Sequence, residues 1–267
     1  MVPQVNSGHP LAPTTITRGN IFSQAKQAYR REGPYYLIRA SLKYSIEGCQ
    51  TTVPNYVRLL YYRIFRSKET FEFQGNAYHY LFNAYCPTWK NERAAILPIA
   101  WNILQKYRQQ KKRILEVGNV LSYVFEVDHD ILDKYEITGG VINEDVVDFN
   151  PSKRYDLIIS LVTLQWVGFR ETPQDTKKFL YAIENLKRIL AEGGEIVVIH
   201  GLGENKEADK LLRSCALRFD HRFYLKRILD YKFREANWEE VKDLEYDRST
   251  PTANGIFIGI IKNAGSA

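Results

Sequence analysis

A strand that ends in a Gly-Asn turn is the part of the sequence best suited to hold a ligand. Residues 113–117 are mostly apolar, as in a strand of a parallel sheet that is covered on both faces. Glu116 is a charged residue inside this run, and Gly118 follows it closely. The Glu116 carboxylate can accept hydrogen bonds from a ligand's hydroxyls or amine, while Gly118 lets the backbone approach that ligand. The alternative is that Glu116 only caps the following turn.

Acidic residues also follow the next two predicted strands. Asp133 lies 17 residues after Glu116, in a strand predicted over residues 131–135. An acidic residue about 20 residues beyond a glycine turn is placed to bind ribose hydroxyls, and Glu136 takes this role if the strand runs longer. A third strand over residues 140–143 is followed by Glu144 and Asp145. For each of these carboxylates the alternative is a place in a surface turn.

His200 is the histidine that the pattern places at the same edge of the sheet. It follows a strand predicted over residues 195–199, and ligands bind at the carboxyl ends of strands in open α/β sheets. An imidazole titrates near pH 6.5 and can take a proton from an acceptor hydroxyl. His200 is therefore the candidate general base. A hydrogen-bonded structural role and substrate binding are the alternatives.

The elements that position these residues are predicted strands that alternate with helices. This alternation predicts an α/β fold with a parallel sheet. The fourth strand spans residues 156–161. In the helix that follows it, Thr172 can cap, Pro173 suits the first turn, and apolar residues recur at helical spacing. Gly193 and Gly194 are expected to end that helix.

Composition limits the class of protein. With 267 residues, 45% hydrophobic and 25% charged, the chain suits one soluble domain with an appendage. Its three cysteines lie far apart without a C-x-x-C pair, so no disulfide framework or metal site is indicated and a reducing cytoplasm is expected. The start does not resemble a secretory signal, and no run of about 18 apolar residues predicts a membrane span.

The positive charge is concentrated near the start of the chain. Residues 18–68 contain ten Lys or Arg against two Glu, although the whole chain carries only +6. We predict a basic helical extension over residues 1–68, with helices over 21–31, 34–46 and 57–65, and an α/β domain over 69–267. Basic residues interleaved with aromatic residues can bind nucleic acid or an anionic lipid surface. No recognisable nucleic-acid-binding module accompanies them, which argues against nucleic acid. Peripheral association with an anionic membrane, at its inner face, is therefore expected. A solvated helical collar is the alternative.

Residues 71–93 are dense in aromatics and end in Asn91, Glu92 and Arg93. Aromatic faces such as that of Tyr80 can stack on sugar rings, and Arg93 can pair with a carboxylate in bidentate fashion. The aromatics are also suited simply to packing a hairpin on the core. The three polar residues precede an apolar helix predicted over residues 94–107, where packing does not require them.

Five segments in order carry a family resemblance: ILEVGN, LDKYE, INEDVVDF, YDLIISLVTLQWVGF and AEGGEIVV. Together they resemble the class I S-adenosylmethionine-dependent methyltransferases, and most of all a branch associated with glycan and polysaccharide modification. The likeness covers roughly residues 71–262. It implies a Rossmann-like sheet of order 3-2-1-4-5-7-6 with the last strand antiparallel, and S-adenosylmethionine as cofactor. Residues 238–246 and 255–262 look like the antiparallel terminal pair.

The same resemblance implies a set of site residues. Those carried over to the cofactor are Glu116, Gly118, Asn119, Asp133 at the ribose, Glu144, Asp145 and Val146 at the adenine, and Ser160. Those carried over to the substrate are Tyr80, Asn91, Arg93, Gln165 and Trp166. The chain departs from the family at Val120 and Ser122, where further glycines are usual, and at Gln165 and Trp166, where relatives commonly have Glu and His.

These features predict methyl transfer to an oxygen of a sugar or uronic acid in a small or lipid-linked saccharide. A hydroxyl acceptor needs a base, whereas a carboxylate acceptor does not. The alternative is a catalytically silent methyltransferase-like protein that binds glycan or partner proteins, which the two departures favour.

Overall fold

The computed structural model describes residues 55–214 and 217–263. The chain divides between residues 56 and 57, and every element below lies in the larger unit, Val57–Ala267, except for the first two residues of the first helix. The helices predicted over residues 21–31 and 34–46 lie outside the described residues. The helix predicted over residues 57–65 is present. No helix in the described part of the chain is long and apolar enough to cross a lipid bilayer.

The alternation of strands and helices predicted after residue 117 is only partly present, because four strands follow one another over residues 114–161 with no α-helix between them. The helices are α1 (55–65, with 57–65 in this unit), α2 (Arg93–Gln109), α3 (Lys178–Arg188), α4 (Lys206–Arg213) and α5 (Trp238–Val241). The strands are β1 (Thr70–Phe73), β2 (Asn76–His79), β3 (Ile114–Val117), β4 (Asp130–Leu132), β5 (Val141–Ile142), β6 (Tyr155–Leu161), β7 (Leu190–Leu202), β8 (His221–Leu229), β9 (Lys232–Ala236) and β10 (Gly255–Lys262).

The main sheet has the order β5-β4-β3-β6-β7-β10-β8-β9. Strands β3 to β7 run parallel, and β10 is antiparallel to both β7 and β8. When β3 to β7 are counted as strands one to five, β8 as six and β10 as seven, the order is 3-2-1-4-5-7-6, with β9 added at the edge. The predicted sheet order and the antiparallel last strand are therefore confirmed.

One predicted strand is wrong. The strand that forms the terminal antiparallel pair with β10 is β8, not residues 238–246. That segment begins with α5. The Asn237 side chain accepts the N–H of Glu240 at 3.1 Å, and the Glu240 carboxylate accepts the N–H of Asn237 at 3.3 Å. This reciprocal cap starts a helix where a strand was expected.

The predicted ends of the helix that follows the fourth predicted strand are also wrong. Helix α3 begins at Lys178 rather than near Thr172, because the Asp175 carboxylate accepts the Lys177 N–H at 2.9 Å and holds the turn before it. Gly193 and Gly194 do not end the helix. They lie inside β7, where their backbones exchange hydrogen bonds with Asn263 at 2.9 and 3.0 Å.

Both faces of the sheet are covered, which explains why its central strands are apolar throughout. Successive side chains of a strand point to opposite faces. In β6, Leu157 and Ile159 pack with α2 and the β1–β2 hairpin, while Ile158 packs with α3 on the other side. The carboxyl ends of β3 to β6 are thus held rigidly at one edge, where the polar residues begin.

Candidate functional site

A cleft opens at the carboxyl ends of the parallel strands, where the strand order reverses on either side of β3. Its volume is about 330 Å³, at the lower end of the range of roughly 300–1,000 Å³ that small-molecule sites occupy. Ligands bind at this switch point in open α/β sheets. The lining residues are Glu92, Arg93, Val117, Gly118, Leu132, Asp133, Lys134, Tyr135, Glu144, Asp145, Val146, Val162, Thr163, Trp166, Val167, Arg170, Glu171, Glu204 and Tyr246.

Gly118 forms the floor of the cleft by bringing two loops close together. Its φ is +87°, and a Cβ at this position would stand 2.1 Å from the Thr163 hydroxyl. Its N–H donates to the Leu132 carbonyl at 2.8 Å. Only glycine fits this left-handed, crowded position, so the turn after β3 lies directly against the loop after β6. The predicted approach of the Gly118 backbone to a ligand stays a prediction.

Glu116 lies beneath this floor rather than in the cleft. It is fully buried, and one carboxylate oxygen accepts the N–H groups of Val120 and Leu121, each at 2.8 Å. The other oxygen lies 2.9 Å from Nε2 of His129. These contacts are those of the turn-capping alternative. Glu116 fixes the loop that contains Val120 and does not line the cleft.

Asp133 lines the cleft at the end of β4, as predicted. Its Oδ1 accepts the N–H groups of Tyr135 and Glu136 at 2.9 and 3.0 Å, and its Oδ2 accepts the N–H of Asn119 at 3.4 Å. The Asn119 side chain donates to Glu136 at 2.7 Å. Asn119 and Glu136 do not line the cleft, so the structure favours Asp133 over Glu136 as the carboxylate presented to a ligand.

Asp145 is held by two lysines that the sequence did not single out. Its Oδ2 lies 2.8 Å from Lys134 Nζ and 2.6 Å from Lys178 Nζ, and Lys178 also pairs with Glu171 at 2.6 Å. Burial raises the pKa of Asp145, but the hydrogen bonds from the two lysines outweigh it, so the pKa lies below its usual value. Neighbouring Glu144 is exposed and Val146 is buried, and both line the cleft.

The other half of the cleft contains a second acidic cluster. Glu204 follows β7, and its carboxylate accepts a hydrogen bond from the Gln165 amide. Burial and then the charge of Glu92 raise the pKa of Glu204. Glu92 is fixed, because its Oε2 accepts the Thr252 hydroxyl at 2.9 Å and the Ala253 N–H at 3.1 Å. Glu204 was missed from sequence, although its place one residue after Gly203 at a strand's carboxyl end was a usable signal.

Arg93 lines the same half and brings an unused donor. Its Nε is buried without a hydrogen-bond partner among the described residues, and its guanidinium lies 3.7 Å from the Glu92 carboxylate. Burial lowers the pKa of Arg93, but the nearby Glu92 carboxylate and other acidic groups outweigh it, so the group stays charged. An uncompensated buried donor of this kind is costly without a ligand.

Aromatic groups complete this half. The Trp166 ring is covered on one face by the Arg170 guanidinium, whose Cζ lies 3.7 Å from the ring centroid. Tyr246 lies near Glu204 and Glu92, and burial, followed by those charges, raises its pKa. Arg93 and Trp166 are thus predicted substrate residues that line the cleft. Tyr246 and Arg170 were not predicted.

His200 is not in the cleft. It is 1% exposed, and its Nε2 lies 2.7 Å from Asp209 Oδ1, while Asp209 Oδ2 accepts the Gly203 N–H at 2.8 Å. Its Nδ1 is buried without a partner among the described residues. The candidate general base therefore has the contacts of the structural alternative, because β7 continues to Leu202 and encloses it.

Three further predicted site residues do not line the cleft, because their side chains form hydrogen bonds within the fold. The Ser160 hydroxyl donates to the Val117 carbonyl at 3.2 Å, inside the sheet. The Tyr80 hydroxyl bonds the Phe233 backbone at 3.0 and 3.2 Å in the core. Asn91 donates to the Cys86 carbonyl at 2.6 Å and accepts the Arg93 N–H at 3.0 Å, so it shapes the start of α2.

Gln165 stands behind the cleft. It is 1% exposed, and besides its bond to Glu204 it accepts the Gly201 N–H at 3.4 Å. It therefore positions Glu204 and does not line the cleft itself. No group of three or more His, Cys, Asp or Glu that could hold a metal ion occurs among residues 55–214 and 217–263.

Comparisons with known proteins give structural likenesses only. No family model matches the chain, and no curated protein matches it significantly in sequence. The N-methyltransferase NodS from Bradyrhizobium japonicum, solved with S-adenosyl-L-homocysteine, is 11% identical, with 69% of this chain and 98% of that chain covered and a TM-score of 0.38. A sugar N-methyltransferase from Streptoalloteichus is 14% identical, with 72% and 97% covered and a TM-score of 0.35.

A third solved structure is an amino pentose methyltransferase from Micromonospora echinaspora, bound to S-adenosylmethionine. It is 15% identical, with 66% of this chain and 91% of that chain covered and a TM-score of 0.31. Because these TM-scores are low, the fold is assigned from the strand order, which is that of a Rossmann-like methyltransferase sheet.

Proposed function

We propose that this chain is an S-adenosylmethionine-dependent methyltransferase that acts on a hydroxyl of a saccharide. The observation that supports this most is the cleft at the switch point of a sheet ordered 3-2-1-4-5-7-6, floored by the left-handed Gly118 turn. Its two halves differ in chemistry. One offers Asp133 and the Glu144–Val146 segment, and the other offers Glu204, Arg93 and Trp166.

The first half suits the adenosyl group. A carboxylate has about four acceptor positions, and Asp133 uses three on backbone N–H groups. It can still accept a ribose hydroxyl. The exposed Glu144 and the Val146 N–H are available to the adenine, whereas the Val146 carbonyl already accepts the Asn185 amide at 2.7 Å. Because Lys134 and Lys178 already hold the Asp145 carboxylate, Asp145 positions this segment and does not bind the ligand.

The second half suits the acceptor. S-adenosylmethionine supplies an activated methyl group on sulfonium, so the protein mainly has to align the acceptor oxygen and remove its proton. Glu204 is a carboxylate in the cleft whose raised pKa makes it a better proton acceptor than an ordinary glutamate. Gln165 fixes its orientation, and the Arg93 guanidinium, which lines the same half, can donate to the acceptor oxygen. We assign the base to Glu204 in place of His200.

The charges favour a hydroxyl acceptor over a carboxylate. A uronic acid carboxylate that bound to Arg93 would also stand near Glu92, whose charge already raises the pKa of Glu204. Like charges in a partly buried site repel, which disfavours an anionic acceptor. A neutral sugar hydroxyl brings no such cost, and it offers a proton that Glu204 can take.

A silent binding protein is the second candidate, and one observation favours it. The Asp145 carboxylate, which the family resemblance assigns to the adenine, is already neutralised by two lysines. A cleft that no longer binds the cofactor would retain the acceptor half. Cofactor binding separates the two candidates.

Transfer of labelled methyl from S-adenosylmethionine to a panel of neutral oligosaccharides tests the enzyme proposal. We expect label in the saccharide fraction with the wild type, and a loss of about 10²–10⁴ in turnover with Glu204→Gln. Glu184→Gln, on the exposed face of α3, is the matched control and should keep wild-type turnover. If the wild type binds the cofactor yet labels none of the panel, while carboxylate-bearing saccharides are labelled, the hydroxyl assignment is wrong.

A further inference from the structure

Helix α1 presents an apolar stripe to solvent. The exposed fractions of Val57, Leu60, Tyr61, Ile64 and Phe65 are 62%, 54%, 46%, 61% and 69%. At about 100° per residue these five side chains span an arc of roughly 140° on one side of the helix. Contiguous exposed apolar surface of this kind usually marks an interaction site, whereas single exposed residues do not.

The opposite side of α1 is fixed to the domain. Leu59 is buried, and the Tyr62 ring packs against Phe82, Trp89 and Tyr231 with centroid distances of 5.1, 6.2 and 5.4 Å. The Arg63 guanidinium donates to the Phe82 carbonyl at 3.1 Å. The stripe is therefore presented by an anchored helix, and its exposure is not the result of a helix detached from the core.

The charged residues beside the stripe are all basic. Residues 57–68 contain Arg58, Arg63, Arg66 and Lys68 and no acidic residue. On the helical projection Arg58 borders the stripe next to Phe65, and Arg63 lies on its other side. Arg66 pairs with Glu69 at 2.6 Å, whereas Arg58 and Lys68 have no ion pair within the described residues. Helices that lie in a membrane interface combine an apolar face with flanking Lys and Arg in this way.

We propose that α1 docks the protein on an anionic lipid bilayer, with the stripe at the boundary of headgroups and acyl chains and Arg58 and Lys68 among the headgroups. The charges argue for lipid over a second copy of this chain. Two copies joined stripe to stripe would bring cations together without an acidic partner in this segment, whereas anionic headgroups neutralise them. The inference is independent of methyl transfer.

Flotation of the full chain with phosphatidylcholine vesicles, with and without phosphatidylserine, tests the proposal. We expect recovery with the anionic vesicles that falls as salt is raised. The pair Leu60→Ser and Ile64→Ser should lower the partition coefficient about tenfold or more, because it removes the apolar groups that enter the bilayer. The control pair Ile137→Ser and Ile228→Ser removes exposed apolar side chains elsewhere and should bind as the wild type does.

A second variant tests the charges. Arg58→Gln with Lys68→Gln should lower binding to anionic vesicles by roughly tenfold and leave the weak binding to neutral vesicles unchanged. Equal recovery of the wild type and the stripe variant on anionic vesicles would overturn the proposal. It would also be overturned if sedimentation without lipid showed a wild-type dimer that the stripe variant makes monomeric, because the stripe would then join two copies.

Discussion

The backbone of Gly118 lies so close to Thr163 that a single added methyl group would overlap the threonine hydroxyl. This contact joins the turn after β3 to the loop after β6 and sets the floor of the cleft. The turn after β3 also donates the Asn119 N–H to Asp133 at 3.4 Å, and the loop after β6 carries Trp166, so the contact bears on a residue in each half of the cleft.

Gly118→Ala should therefore damage the site more than an ordinary glycine substitution. The left-handed φ alone costs about 1–2 kcal/mol, and the overlap with Thr163 adds to it. We expect a lower denaturation midpoint and loss of S-adenosylmethionine binding. Gly139→Ala is the control, because no atom lies within 4 Å of a Cβ there. Equal stability and equal binding in the two variants would contradict the proposed role of the contact.

Glu204 should control the pH dependence of turnover. A general base works when it is deprotonated, so kcat/KM should rise as pH passes through the raised pKa of Glu204. Glu92→Gln removes the neighbouring charge that contributes to this shift, so the rise should move to lower pH. Glu239→Gln, on exposed α5, should leave the profile unchanged. A profile that stays in place in Glu92→Gln would show that another group is the base.

The same shift predicts an effect on stability. A carboxyl group whose pKa is raised in the folded state binds protons more readily there, so its contribution favours folding at low pH and declines as pH rises through the folded pKa. Glu204→Gln should therefore lose less stability than the wild type between weakly acidic and neutral pH. Urea denaturation across that range measures this difference, and parallel curves would refute it.

The pKa of Asp145 is shifted in the opposite direction to that of Glu204, so its contribution to stability has the opposite dependence on pH. Its pKa lies below the usual 3.8, so its contribution is present above that value and is lost as pH falls through the folded pKa. Asp145→Asn should cost about 1–3 kcal/mol near neutral pH, because two lysine bonds are weakened and Lys178 is mostly buried. Exposed Asp148→Asn is the control. Unfolding curves that agree for the two variants at neutral pH would show that the cluster adds no stability.

His200→Ala should act on folding rather than on chemistry. Removing the imidazole leaves the buried Asp209 carboxylate without its partner at 2.7 Å, which typically costs about 2–4 kcal/mol. The pH profile of the remaining activity should be that of the wild type. A variant with unchanged stability and turnover lowered about a hundredfold would restore His200 as the base.

The sheet was predictable from sequence because each central strand is buried on both faces and reads as an apolar run, as in residues 157–161. The terminal pair was not, because β8 has its basic residues in adjacent pairs and shows neither an alternating pattern nor a continuous apolar run, and α5 depends on the local cap at Asn237. Among site residues, Gly118 and Asp133 follow from strand ends, and Arg93 follows from the polar cluster that precedes an apolar helix. Glu204 also follows a strand end and could have been found in the same way, whereas the lysines on Asp145 depend on contacts between distant segments, such as Lys178 with Asp145, which sequence spacing does not encode.

Calorimetric titration of the full chain with S-adenosylmethionine tests the central claim most directly. We expect saturable binding, weakened in Asp133→Ala by roughly 10-fold to 150-fold, since a charge-assisted hydrogen bond is worth about 1.5–3 kcal/mol. Asp148→Ala should bind as the wild type does. If the wild type shows no saturable heat at millimolar cofactor, the chain is not a methyltransferase of this kind, and the silent binding protein becomes the better account.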